Sequence, residues 1–101
     1  MAAVGTIRGV SAEEFPEAKK PAFKLKVDFG ELGVKSSSAQ ITTLYDVNEL
    51  TGKQVIAVVN FPPRQIGKFI SEVLVLGVYG EEGEVILLQP DGNVKNGSRI
   101  G

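Results

Sequence analysis

The sequence predicts an all-β fold, either a sandwich or a small barrel, and three observations carry that prediction. Roughly six short segments show the two-residue alternation or the β-branched apolar character of strands. Glycines and prolines punctuate them at close spacing. A single turn of helix stands ahead of a central apolar run, which favours the OB type of barrel. At 101 residues the chain is expected to be one domain, residues 1–101, with room for a core that needs neither disulfide nor metal.

Taken in order, Val4 to Val10 reads as a strand in which Gly5 and Gly9 allow the sheet to bend. Glu13 to Lys20 is charged and edged by Pro16 and Pro21, which deny it a continuous helix, so it reads as a loop. Phe23, Leu25, Val27 and Phe29 alternate with Lys24, Lys26 and Asp28, the pattern of a half-buried strand. Gly30 to Gly33 supplies a turn, and Val34 to Thr43 follows as a polar strand anchored by Val34, Ala39 and Ile41. Asp46 is placed to cap one helical turn ending at Leu50, with Gly52 closing it. Val55 to Val59 and Val73 to Val78 read as strands covered on both faces or central in a barrel. Phe61-Pro62-Pro63 breaks the chain between them, and Gly80 and Gly83 mark a hairpin into Glu84 to Gln89. A last strand is expected around Arg99 and Ile100.

Composition narrows the chemistry. Cysteine and histidine are both absent, which removes thiolate zinc sites, thiol nucleophiles and the commonest general base near neutral pH. No Gly-rich phosphate loop or metal-ligand spacing occurs, so neither an enzyme nor a cofactor is expected. The first ten residues lack a secretory core, and the longest strictly apolar run, Val55 to Val59, falls well short of the roughly 20 residues of a membrane helix. A cytoplasmic chain without membrane attachment is expected. Net charge is −1, but residues 1–68 carry nine Lys and Arg against seven Asp and Glu, while residues 69–101 carry two against five. This modest asymmetry leaves the first two thirds able to meet a polyanion.

A family resemblance adds to this reading. Glu14-Phe15-Pro16-Glu17-Ala18, Phe23-Lys24-Leu25-Lys26-Val27-Asp28-Phe29-Gly30 and Ser37-Ser38-Ala39-Gln40-Ile41-Thr42 follow one another as they do in CsaA proteins. The order continues through Gln54 to Arg64, Ser71 to Gly77, Leu87 to Asp91 and Asn96-Gly97-Ser98, covering nearly the whole chain. The sequence therefore resembles the CsaA family of chaperone-like tRNA-binding proteins. More distantly it is similar to the tRNA-binding domain appended to bacterial methionyl-tRNA synthetases. The resemblance implies a five-stranded Greek-key OB (oligonucleotide-binding) barrel, a homodimer, tRNA binding and a peptide-binding, chaperone-like activity. Two departures stand out. Only Met1-Ala2-Ala3 precede Val4-Gly5, where the family carries an extension and an Asp-Ile-Arg-Val-Gly signature, so a weaker dimer is expected. Gln65 to Ile70 is less basic than the family form, so a lower affinity for phosphate is expected.

Candidate RNA-binding residues follow from both readings. Arg64 and Lys68 flank the proline loop, where a cation can approach phosphate without burial; apart from the resemblance they also read as ordinary solvated charges. Lys24 and Lys26 share one strand face, extended by Lys35 across the turn, which is either a phosphate-facing row or an ordinary wet surface. Asn60 ends an apolar strand and can serve a base edge or hook the turn backbone. Ser38, Gln40 and Ser71 offer neutral hydrogen bonds, to RNA or simply to solvent. Phe61 and Phe69 either pack in the core, stack on bases or line an apolar peptide groove. The expected function is a non-catalytic module that grips tRNA on a barrel rim. The alternative is an export-related chaperone that receives unfolded polypeptides on an apolar patch or at the dimer seam.

Overall fold

The computed structural model describes residues 1–11, 23–39, 41, 45–66 and 69–101, with no side-chain description at Ile66. Its organising element is the alternating segment, which forms β2 (Phe23–Asp28) with Phe23, Leu25 and Val27 buried and Lys24, Lys26 and Asp28 turned outward. β1 (Ala2–Ser11) and β3 (Val34–Ala39) pair with it on either side, both antiparallel. β4 (Gln54–Val58) pairs with the first half of β1, and β7 (Leu74–Val75) with β4, giving one sheet in the order β3-β2-β1-β4-β7.

The sheet curls until its two edges meet. Glu72 N donates to Ser36 O at 2.7 Å, Ser36 N donates to Glu72 Oε1 at 3.1 Å, and Ser38 N donates to Ser71 Oγ at 3.1 Å. The result is a nearly closed five-stranded barrel with one short helix, the OB type expected. Curling is helped by a register shift in β1 between Ile7 and Gly9. Gly5 has a different task. A side-chain carbon there would lie 2.6 Å from Val27 Cγ1 and 2.7 Å from the Phe29 ring, so Gly5 lets the core close against β1.

The core gathers Ile7, Leu25, Val27, Phe29, Ile41, Leu50, Val55 and Val73, all essentially inaccessible to solvent. Each such side chain contributes about 1.5–3 kcal/mol by leaving water. Leu50 comes from α1 (Val47–Leu50), the helical turn predicted after Asp46. Its start is fixed by a reciprocal cap: Asp46 Oδ1 accepts from Asn48 N at 3.3 Å, and Asp46 N donates to Glu49 Oε1 at 3.0 Å. The helix ends before Gly52, whose φ of 94° lets its amide reach back to Ile7 O at 2.8 Å. No helix among the described residues is long and apolar enough to cross a membrane.

The turn expected after β2 is present as a 3-10 turn over Gly30–Leu32, while other expectations changed. Val34, expected as an anchor, is 56% exposed because it stands opposite Asp28 on the outer face; Ser36 and Ser37 are buried in its place. The apolar run Val73 to Val78 is two strands. β7 pairs with β4, whereas β8 (Gly77–Tyr79) pairs with β9 (Val85–Leu87) in a separate hairpin, the one predicted at Gly80 and Gly83. Neither strand is covered on both faces, since Leu74, Val78 and Tyr79 are exposed. A further hairpin, β5 (Arg64–Ile66) with β6 (Phe69–Ser71), occupies what read as loop. The expected last strand is a single bridge between Ala3 and Arg99, flanked by backbone bonds from Val4 N to Ser98 O and from Ile100 N to Ala2 O. The loop predicted over Glu13 to Lys20 lies outside the described residues.

Candidate functional site

Register decides which polar side chains meet. Lys24 stands opposite Ser38 and Lys26 opposite Ser36, so the two lysines and Ser38 share the outer face of β2 and β3. Lys26 is exposed and its Nζ donates to Ser36 Oγ at 2.7 Å. Lys24 is half-buried, its ammonium 5.3 Å from the centre of the Phe69 ring, within cation–π range. Phe69 thus lies beside the lysine row. On β1 the same outer surface carries Arg8, paired with Asp28 Oδ2 at 3.3 Å and largely in solvent. Arg8 was not singled out from the sequence. The available signal was its place beside the buried Ile7 in a strand whose alternation the glycines obscure.

Lys35 does not extend that face. It stands opposite Val27, on the side of the sheet that faces the core, because the 3-10 turn sets a register in which odd-numbered residues of β3 meet odd-numbered residues of β2. Ser71 was expected as an accessible hydroxyl, but it is 5% exposed. Its Oγ accepts from Ser38 N and donates to Val73 O, both at 3.1 Å, so it fastens the barrel seam and fixes Ser38 rather than facing solvent.

Asn60 is exposed at the end of β4, where its Oδ1 accepts from the Met1 ammonium. Register places it at the Met1 end of β1, while Lys24 is in register with Ser11 at the other end. Phe61 is half-buried and packs against the core. Gln40 and Lys68 lie outside the described residues.

Arg64 is exposed at the start of β5, opposite Ser71. It borders an open groove of about 370 Å³ between the end of β3 and the β8–β9 hairpin. Ala39, Ile41 and Leu87 give the groove a buried apolar lining, and Ser38 and Arg64 line it as well. Ser38 therefore belongs both to the lysine face and to the groove. This arrangement offers cations, a hydroxyl and an apolar recess, a set suited to binding a charged chain with flat apolar parts.

Comparison with known proteins agrees with this architecture. Residues 3–99 match the family model described as "Putative tRNA binding domain". The chaperone CsaA of Bacillus anthracis is 52% identical with a TM-score of 0.90, over 99% of this chain and 89% of that one. A CsaA chaperone protein from Picrophilus torridus is 55% identical with a TM-score of 0.88, over 99% and 90%. A methionine–tRNA ligase of Methanocaldococcus jannaschii is 36% identical over 91 residues, which is 90% of this chain and 14% of the relative. The chain thus spans a small fraction of the length of the curated ligases it matches, between 11% and 14% for those compared.

Proposed function

Because this chain belongs to the family of tRNA-binding domains, we propose that it is a non-catalytic module that grips tRNA on the outer face of β2 and β3 and the adjoining rim at Arg64. One observation carries the reading. The β2–β3 register lines up Lys24, Lys26 and Ser38 on one surface, and Ser38 adjoins Arg64. OB barrels bind oligonucleotides on that face and on the neighbouring loops. The cations meet phosphates and set position, while Ser38 and the ring of Phe69 supply contacts that discriminate folded RNA from a bare polyanion. Lys35, on the core side of β3, and Asn60, at the other end of the sheet from Lys24, stand apart from this surface. Ser71 acts in it by holding Ser38.

Electrophoretic or anisotropy titration with labelled bulk tRNA at low salt tests this. Lys24→Glu and Arg64→Glu should each weaken binding about tenfold or more, from the roughly 1.5–3 kcal/mol of a charge-assisted contact. No tRNA shift by the unaltered protein at low salt would overturn the proposal.

A second reading has its own observation. Val78 and Ile86 face each other across the β8–β9 hairpin at 49% and 41% exposure, an apolar pair left in water. The CsaA relatives carry the name chaperone. We assign to this pair the chaperone-like contact with unfolded or export-competent polypeptides, in place of Phe61, which the core holds. Client binding of this kind persists at high salt, where the tRNA contact fades. A cytoplasmic homodimer completes the proposal, and sedimentation velocity reads the oligomeric state directly.

A further inference from the structure

Tyr79 takes no part in the barrel, yet it is 81% exposed, the most exposed of the large hydrophobic side chains described. Aromatic side chains with a polar tip usually bury most of their ring. Tyr79 lines the groove together with Arg64 and Ser38. It belongs to β8 and stands opposite Val85, so it is on the groove side of the hairpin, away from the Val78–Ile86 pair. The two strands of the hairpin approach closely at Gly77. A side-chain carbon at Gly77 would lie 2.6 Å from Val85 Cγ1 and 2.8 Å from Ile86 O.

We infer that this groove receives one unpaired nucleotide of the bound RNA, with the Tyr79 ring stacking on its base, Arg64 taking its phosphate and Ser38 hydrogen-bonding its sugar or base edge. The inference rests on the tRNA-binding reading and names the part of the RNA that this groove takes. Charge complementarity selects the occupant. Among the eleven lining residues Arg64 alone is charged, and no ion pair to it occurs among the described residues. In the nearby acidic turn, Glu84 is engaged locally. Glu84 Oε2 accepts from Glu82 N at 3.1 Å, which directs that carboxylate into its own turn. A base needs a flat apolar surface with a cation close by, and this groove supplies both; duplex RNA keeps its bases stacked inside and has no use for the ring.

The experiment compares the unaltered chain with Tyr79→Ala and Tyr79→Phe. Affinities are measured for bulk tRNA and for a single-stranded adenylate hexamer. Tyr79→Ala should lose at least about fivefold for the hexamer, the lower end of one stacked base, while Tyr79→Phe retains affinity. The salt slope should be unchanged in Tyr79→Ala but shallower by about 1 in Arg64→Ala, because of these two side chains Arg64 alone meets a phosphate. The chain has no tryptophan, so Tyr79→Trp adds a reporter whose fluorescence the hexamer should quench. Equal hexamer affinity for Tyr79→Ala and the unaltered chain would overturn the inference, with tRNA binding by the unaltered chain showing that the broader proposal survives. Quenching by an unfolded polypeptide but not by the hexamer would overturn it in favour of a peptide occupant.

Discussion

At the scale of single residues, Ser71 separates what a sequence shows from what a fold requires. Its hydroxyl joins Ser38 N to Val73 O inside the barrel seam. Replacing it removes two hydrogen bonds and leaves the half-buried Ser38 amide without its partner. Ser71→Ala should lower stability by about 1–3 kcal/mol. Urea unfolding would show this as a lower midpoint at an unchanged slope, with tRNA affinity falling only as far as Ser38 is disturbed. A serine in a polar stretch gives no sign of burial, and Ser71 becomes a seam residue only when β6 and β3 are brought together. Lys24 and Lys26 were legible because their neighbours Phe23, Leu25 and Val27 are apolar and the strand period is two. Lys35 was not, since its face depends on the register set by the 3-10 turn.

At the scale of elements, the same contrast divides local signals from tertiary ones. The helical turn after Asp46 was legible because its cap is built from residues three apart, and both reciprocal bonds are present. The run Val73 to Val78 was not, because a row of β-branched residues does not say where its pairing changes. The change occurs around Leu76, whose amide donates to Ile56 O at 2.8 Å and whose carbonyl accepts from Leu88 N at 3.2 Å. From there the chain leaves β4 and joins β9, and Gly77 allows the close approach that follows. Gly77→Ala should cost about 1–3 kcal/mol, because the clash includes backbone and cannot be relieved by a side-chain rotation alone. Thermal unfolding would measure the loss, which should exceed that of an alanine placed at the open position Gly92. The β5–β6 hairpin escaped a sequence reading because each strand is three residues long, too short for alternation to declare itself.

At the scale of the whole molecule, a barrel 35 × 29 × 23 Å across is small beside a folded RNA, so few phosphates fall within its reach. The all-β class was legible, since alternation and turn residues determine it locally, whereas the pattern left sandwich and barrel both open and the closed barrel came with the family resemblance. The meeting of Ser38 with Arg64 was not, because it requires the sheet to close. A net charge of −1 gives no general attraction for RNA, so the proposed grip rests on the local cations Lys24, Lys26 and Arg64. The most direct test is the affinity for bulk tRNA measured across a series of salt concentrations. Contact with about three to five phosphates predicts a log–log slope near −2 to −4. Affinity that stays level as salt rises would contradict the account.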